Sequence, residues 1–578
     1  MSRKSNKKQI VLYDKMITFV TSYLFCEHHL HISDEFAIEN LIALCRADLP
    51  LIVFVYDDCE SWIREKLLDN DIEIPILIPI QKTNLEIWRL IHKHDDITLP
   101  QNRNDTKDTR EHLWKTHVAI ELVKMAIYEN PFETTHFAWI HYSLPYFVRN
   151  PFMYRYLRDL CNMNLRETFL IFPGCAEQVV EDPLRLLDDI CWRFSGGFFL
   201  GDFVSIIRFY RWYLGEFSRF LRTYRKLVWE VNFYAYLEGF CRNEWKVTWY
   251  PGNHDDTIIT GIPRSCFTRC LADSGTTKMV EYVNMLCIHG FYPSSASYLH
   301  YYDNVVGKKR HYLNIRYVNY WLYPNGYYRY MCDNRIIENK NVLCELTPEG
   351  LMPIASSWRI MEDAMDLPHF EEAYSHGLED LRLYEIDGKI KCSATNLNHV
   401  DGSGRSRILV GDYCVDSGII RNGVVVQPPS ETWCEKNWIP IVYQSEECFV
   451  YQWYPFQIGK IESGSLVIVC EMDLKCPLFR NVRGSSVFVH EDQGRCLGVV
   501  HFSEEGSPRK YYHMLVEMEE CIPVRYSQPF CFQTLSVEFC IGFAVNGDNY
   551  IFWISRMDRD LAMVIVPRGE ILCNNNVY

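Results

Sequence analysis

Trp192-Arg193-Phe194-Ser195-Gly196-Gly197-Phe198-Phe199-Leu200-Gly201-Asp202 is the stretch around which the first half of the chain is organised. Paired glycines sit between aromatics, and a third glycine precedes an acid. Glycine weakens a strand, so it marks a bulge or a place where backbone closely approaches something else. The flanking Phe and Trp would anchor the segment while Gly196 and Gly197 leave room for a flat ligand such as a sugar ring. A packing strand with a bulge explains the same pattern. Outward from this stretch, strand-like runs (17–24, 51–56, 76–80, 168–172, 246–250) alternate with helix-like ones (34–44, 112–128, 208–228). The run 51–56 is continuously apolar and ends in Asp57-Asp58, as a buried parallel strand delivers carboxylates to its C-terminal end. A later strand ends in Pro251-Gly252-Asn253-His254-Asp255-Asp256. The alternation predicts an α/β domain with a mostly parallel sheet and a ligand crevice at its carboxyl edge. There is no G-x-G-x-x-G and no P-loop, so neither a dehydrogenase nor a nucleoside triphosphatase is supported.

At 578 residues the chain exceeds what one core serves, and two domains are expected, 1–285 and 290–570. Residues 264–289 carry no Pro/Gly/Ser-rich or highly charged tract, which predicts a short link between the two with fixed packing. The aromatic share of 15% suits carbohydrate stacking, although most of these rings must be core. A net charge of -15, with no basic stripe beyond residues 3–8, excludes a nucleic-acid footprint. No apolar run reaches the length of a membrane span, and the apolar residues 16–25 lack a small-residue cleavage site. The 23 cysteines form no C-x-x-C pair and read as reduced thiols, which predicts a cytoplasmic protein, in a host cytoplasm if virus-encoded. Cys26-Glu27-His28-His29-Leu30-His31 is either a metal-ligand cluster or a solvated loop.

From about residue 297 the texture becomes all-β. Short β-rich runs are separated by Asp387-Gly388, Asp401-Gly402-Ser403-Gly404, Asn422-Gly423 and Asn546-Gly547-Asp548. Aromatic and charged motifs recur at 314–320, 377–384, 435–440, 483–486 and 527–539, a period of roughly fifty residues that predicts a five-bladed β-propeller of four-stranded blades. Polar knots interrupt this apolar texture: Glu379-Asp380 beside Arg382, Glu435-Lys436-Asn437, Arg483, His501, Arg509, His513, Glu538 and Asp558-Arg559-Asp560. In a propeller the innermost strands would gather them in one central funnel, where buried charges must partner one another.

Over residues 15–265 the chain resembles the HtrL/YibB family. The resemblance rests on Lys115, Phe137-Ala138-Trp139-Ile140, the stretch 192–202, Trp229-Glu230-Val231-Asn232 and Asn253-His254-Asp255-Asp256. It implies a GT-A-type fold that binds a nucleotide-sugar donor. Asp57, Asp58, Lys115, Gly196, Gly197, Asp202, Glu230 and Asn232 would line the donor site, and Asp255 and Asp256 would be catalytic. Mn²⁺ or Mg²⁺ would be held with His141 and His254, yet His141 stands where the family carries Asp. An imidazole supplies no negative charge and is a poor Mg²⁺ ligand. The second half resembles β-mannoside phosphorylases and their mannosyltransferase relatives, on Glu379-Asp380-Leu381-Arg382 and Lys436-Asn437. That likeness implies metal-free inversion with Asp380 as proton donor. Arg382, Lys436, Asn437, Arg483 and His513 would contact sugar or phosphate, and like-charge coupling to Glu379 would raise the acid's pKa. A blade-to-blade ion pair of Glu379 with Arg382 is the structural alternative.

The leading expectation is a glycosyltransferase that moves a sugar from a nucleotide-sugar donor to an oligosaccharide or glycoprotein acceptor, with the propeller as a second sugar-processing or acceptor-binding domain. A glycoside phosphorylase or hydrolase in the propeller, with a degenerate first domain, is the alternative. A non-catalytic glycan-binding protein is the third reading.

Overall fold

The computed structural model describes residues 17–24, 34–166, 168–177, 179–282, 285–303, 307–400, 404–491 and 494–578. The basic residues 3–8, the histidine-rich segment 26–31 and the turn residues 401–403 lie outside these. The chain divides into two compact units, one ending at Phe267 and one beginning at Thr268.

The first unit is built on a seven-stranded sheet. In chain order its strands are β1 (Ile17–Tyr23), β2 (Leu51–Tyr56), β3 (Ile76–Ile80), β4 (His136–Ile140), β5 (Leu170–Gly174), β6 (Phe198–Asp202) and β7 (Thr248–Pro251), and they lie side by side as β3-β2-β1-β4-β6-β5-β7. Strands β1 to β4 run parallel, and β2 is buried along nearly its whole length. The expected mostly parallel sheet is in fact mixed: β6 runs antiparallel to both β4 and β5, while β5 and β7 are parallel. The reversal has a useful consequence. The segment entering β6 arrives at the same edge where β2, β4, β5 and β7 end, so Gly196-Gly197 joins Asp57, His141, Cys175 and His254 there.

The expected helix over 112–128 is two, Arg110–His117 and Ala119–Glu129, with Val118 between them. The helix Phe203–Tyr224 buries Ile206, Phe209, Tyr210, Tyr213, Phe217, Phe220 and Leu221, the three-and-four spacing of one helical face. Its apolar face meets Phe172, Phe199, Phe233, Tyr234 and Trp245 in one aromatic core. These rings are packing material, not a sugar platform.

Among the described residues the second unit is β-rich and holds five larger, mainly antiparallel sheets in chain order, with a small two-stranded sheet of Tyr320–Leu322 and Tyr328–Tyr330 beside them. Sheet I is Tyr292–Asp303, Lys308–Val318, Ile337–Leu346 and Arg359–Ile360. Sheet II is Glu379–Ile386, Lys389–Asn396, Arg407–Cys414 and Ile419–Val426. Sheet III is Ile439–Tyr443, Glu446–Trp453, Phe456–Glu462 and Ser465–Met472. Sheet IV centres on Arg495–Glu504, Lys510–Glu519 and Ile522–Tyr526, with Arg483–Gly484 and Val489–His490 along its first edge. Sheet V is Glu538–Asn546, Asn549–Arg556, Asp560–Pro567 and, completing it from upstream of sheet I, Lys278–Glu281.

Apolar clusters fill the spaces between consecutive sheets. Leu299 and Leu343 meet Leu381 and Leu383 between I and II, and Tyr384 and Val410 meet Trp438 and Phe449 between II and III. Trp453 stacks near Phe488 between III and IV, and Val499 and Leu515 meet Phe543 and Phe552 between IV and V. Leu313 and Ile315 meet Trp553 and Met563 between V and I. The fifth sheet thus packs on the first.

The strand Lys278–Glu281, together with Arg269–Cys270, which pairs with Phe530–Cys531, belongs to the second unit. The division therefore falls ahead of residue 285. Its sequence is too short to show β alternation, and only its distant partners make it a strand. Just after it, the Tyr282 hydroxyl receives a hydrogen bond from Trp553 Nε1 (2.6 Å) and donates to Leu351 O (3.0 Å), all in the interior. Tyr282→Phe strands both partners without water, so it should destabilise the second unit by about 1–3 kcal/mol, read as a lowered midpoint in thermal or urea unfolding.

Candidate functional site

At the carboxyl edge of the first unit's sheet, His141 N–H donates to Gly197 O (2.9 Å) and His141 Nδ1 meets Ser143 Oγ (2.6 Å). Burial, with His112 and Lys107 adding, holds this imidazole down at about 4. His254 packs against the rings of Trp192 (4.6 Å) and Phe147 (5.5 Å), and burial and Lys107 lower it as well. Among the described residues no three His, Cys, Asp or Glu side chains gather as metal ligands. The Lys107 charge lowers both imidazoles, while Asp255 raises His254 against it.

The space beside Gly196 is filled by protein. A Cβ there would come within 2.0 Å of Glu230 Oε1, so the glycine admits the Glu230 carboxylate rather than a ligand, while Gly197 has ordinary clearance. Burial raises the Glu230 pKa, and Thr116 and Lys107 oppose that rise. Lys115 lies 3.8 Å from Glu111 and 5.8 Å from the Tyr56 ring centre. Asp57 is exposed and accepts from Gln81 (2.9 Å), and Asp58 is exposed beside it. Asp255 is exposed and spends its carboxylate on Thr257 within its own turn, while the Asp256 carbonyl accepts from Thr260 N–H (2.9 Å).

Two expected donor contacts hold the fold instead. Asp202 is buried at the opposite end of β6, where it caps the helix Phe203–Tyr224 through Ser205 N–H (2.9 Å) and receives Phe169 N–H (2.8 Å). Asn232 is buried and pins the 186–191 loop by donating to Leu186 O (2.8 Å) and Asp189 O (2.7 Å) and accepting from Cys191 N–H (2.7 Å). Lys107, whose charge bears on His141, His254 and Glu230, was not singled out in the sequence because it stands in a polar loop with no motif around it.

The second unit concentrates its charge more tightly. Arg316 on sheet I is buried, and its guanidinium reaches Asp380 Oδ1 (3.0 Å), Glu379 Oε1 (3.5 Å) and Asn339 Oδ1 (2.7 Å). Ser295 Oγ also donates to Asp380 Oδ1 (2.9 Å). The pairing of Glu379–Ile386 with Lys389–Asn396 is interrupted between Glu379 and Arg382, and Asp380 sits at φ 51. Such a bulge re-aims side chains, here carrying both carboxylates to Arg316. The turn before it requires glycine: Gly377 has φ +80, and a Cβ would meet Asn339 O at 2.3 Å.

The ion pair of Glu379 with Arg382, the structural alternative, is not formed. Glu379 pairs with Arg316. Arg382 is 1% exposed and gives its donors to Ser485 O (2.7 Å), Asp380 O (3.0 Å), Asn437 Oδ1 (3.2 Å) and Gly484 O (3.4 Å). It therefore positions Asp380 and Asn437 rather than contacting a ligand. His513 is fully buried against Phe530 and Phe532, and burial drives it down to about 3, so it too is no ligand contact. Its in-register neighbour His501 feels Arg382, Arg483 and Lys436 instead. Lys436 and Arg483 are exposed, and the charge of both bears on His501.

A third carboxylate completes the cluster. Asp558 is raised to about 6, first by burial and then by Asp380 and Glu379, against the pull of Arg316 and Lys436. Tyr320, Tyr328 and Tyr511 lie within the field of this group, and Arg559 stacks on Trp321 at 3.3 Å. Asp558 was visible in the sequence only as one acid of a turn, and Arg316 only as part of a recurring motif.

No family model matches this chain, and no curated protein matches it. Solved structures with some likeness include a beta-1,2-mannobiose phosphorylase from Listeria innocua (12% identity, 51% of this chain and 97% of that chain, TM-score 0.33). A thermostable family-43 glycoside hydrolase has 10% identity over 50% of this chain and 92% of its own, with TM-score 0.28. Mouse xyloside xylosyltransferase 1 has 9% identity over 41% of this chain and 85% of its own, with TM-score 0.24.

Arg316 is the sole guanidinium in contact with both Glu379 and Asp380 among the described residues. Arg316→Leu should push the Asp558 pKa above its present value of about 6 and cost roughly 3–5 kcal/mol of stability, read by carboxyl NMR titration and by denaturation. Asp558 also sets a sign. Its folded value lies above the ordinary 3.8, so the folded chain binds this proton more readily than the unfolded chain. Its contribution is therefore lost as pH rises between about 4 and about 6, and Asp558→Asn should flatten that slope.

Proposed function

We propose that this protein processes glycosides in the carboxylate cluster of its second unit, with the five sheets acting as blades of a β-propeller and the cluster in its funnel. The observation that carries this reading is Asp558, raised into the range of a general acid, beside Glu379 and Asp380 anchored on Arg316. Asp558 would deliver its proton to the leaving glycosidic oxygen as the bond to the anomeric carbon breaks. Asp380 and Glu379 would stabilise the positive charge that develops on the sugar ring, and the tyrosines would wall the ring. An inorganic phosphate held by Lys436 and Arg483 would attack the opposite face, giving an inverted sugar 1-phosphate and a shortened saccharide. Water in place of phosphate would make the enzyme a hydrolase. β-Mannosides are the substrate class to try first, since the Glu379-Asp380-Leu381-Arg382 element resembles that of their phosphorylases.

A second reading is a nucleotide-sugar transferase in the first unit. What favours it is the convergence of Asp57, His141, Gly197 and His254 on one sheet edge beside Lys107, a cation suited to a pyrophosphate. Transfer to a glycan acceptor would then proceed there.

The test is release of sugar 1-phosphate from β-mannosides in phosphate buffer. Asp558→Asn should lower kcat by about 10²–10⁴-fold, and wild-type activity should fall as pH rises above about 6, because the acid must be protonated. Turnover that survives Asp558→Asn and is lost with Asp380→Asn would move the proton to Asp380. Consumption of a nucleotide sugar, with no phosphorolysis or hydrolysis, would favour the first unit.

A further inference from the structure

The strand Tyr292–Asp303 carries Ser295, which touches Asp380, near its start, and Tyr298 and His300 further along. About 15 Å beyond Ser295, at roughly 3.3 Å per residue, sheets I, IV and V surround a cavity of about 490 Å³. The polar lining is almost wholly basic: His300, Lys309, His311, His490, Arg495 and Arg568. The one carboxylate of the lining is Glu491, which pairs with Arg568, and Arg495 reaches Glu517 outside the lining through one terminal nitrogen (3.1 Å). In a chain of net charge -15 this is a local concentration of the opposite sign.

The basic groups press on one another. Burial, then Lys309 and His490, lower the His300 pKa, and burial, then His300 and Lys309, lower His311. Burying like charges together costs free energy that a bound anion would recover. Two imidazoles are already oriented. His311 Nδ1 meets the Tyr298 hydroxyl (2.7 Å) and His490 Nδ1 meets Cys496 Sγ (3.1 Å), so where those groups donate, each Nε2 carries a hydrogen for an anion. The Arg495 Nε is buried without a hydrogen-bond partner among the described residues. Tyr298, Val489, Ala544 and Val545 supply an apolar wall. The volume lies in the range of small-molecule sites.

We propose that this cavity is a second ligand site, distinct from the carboxylate cluster, for a small phosphorylated organic molecule. The phosphoryl oxygens would sit among Lys309, His311, His490 and Arg495, and the organic body against Tyr298 and Val489. Sulfate esters present the same tetrahedral oxygens, with less charge.

The test is calorimetric titration of the full chain with inorganic pyrophosphate, in a Lys436→Ala/Arg483→Ala background that disables anion binding at the funnel mouth, with inorganic sulfate as a second arm. Pyrophosphate should bind, and Lys309→Ala should weaken it at least tenfold, while Lys309→Arg should retain it. Lys309 is exposed, so an unchanged thermal midpoint will show that the variant is folded. His490→Gln serves as an independent variant, with the same weakening expected. Stronger binding of sulfate than of pyrophosphate would overturn the phosphoryl assignment. No binding in this background, or binding that Lys309→Ala and His490→Gln both leave unchanged, would overturn the site.

Discussion

A buried guanidinium with no carboxylate in hydrogen-bond contact among the described residues ties three sheets of the second unit together. Arg382 comes from sheet II, and its acceptors lie on Asp380 of its own strand, on Asn437 at the head of sheet III, and on Gly484 and Ser485 of sheet IV. Taking a charge out of water costs several kcal/mol unless dipoles replace the lost hydration, and here carbonyl oxygens do so. Burial holds its pKa down at about 10, far above neutrality, so the charge persists. Two of the acceptor residues sit at positive φ, Asp380 at 51 and Asn437 at 67, conformations that persist only where surroundings enforce them. The position of Asp380 is thus fixed from both sides, its carbonyl by Arg382 and its carboxylate by Arg316.

The same spatial logic runs through the carboxylate cluster. Three acids share one buried arginine, so one of the three keeps a proton more readily than it would in water. Asp558 is that one because its two carboxylate neighbours both contact the cation while it depends on burial. In the first unit desolvation raises Glu230 as well, with Thr116 and Lys107 opposing, and its carboxylate takes space that Gly196 leaves open.

Much of the fold was legible in the residues. The apolar run 51–56 is strand β2 to the residue, and the second half is β-rich, as its short runs and turn signals indicate. The direction of β6 was not legible, since a strand's orientation depends on the path of the chain into it and not on its composition. The site was half legible. Glu379 and Asp380 stood out as adjacent acids. Their counter-ion Arg316 lies on another sheet, at a position whose local sequence reads as ordinary strand, so the sequence offers only Arg382, the nearest arginine in the chain, as an alternative partner for Glu379. Asp202, Asn232 and His513 were site candidates through the family resemblances. Their hydrogen bonds and packing show the other reason such residues occur, which is to cap, to pin a loop or to fill an interior.

The strand that completes sheet V bears on how the chain folds. Met279 pairs with Val564, so the last sheet can close only after nearly the whole second unit has been synthesised and arranged. Contacts this distant along the chain require the entropy of a very long loop to be spent before any hydrogen bond is gained. Sheets II to IV can pair hairpin by hairpin as they emerge from the ribosome, but the edge of sheet V waits unpaired until Lys278–Glu281 docks. In that interval it is an open template for another chain, and docking replaces that long apolar edge with a four-residue one bearing Lys278 and Glu281, a much poorer template.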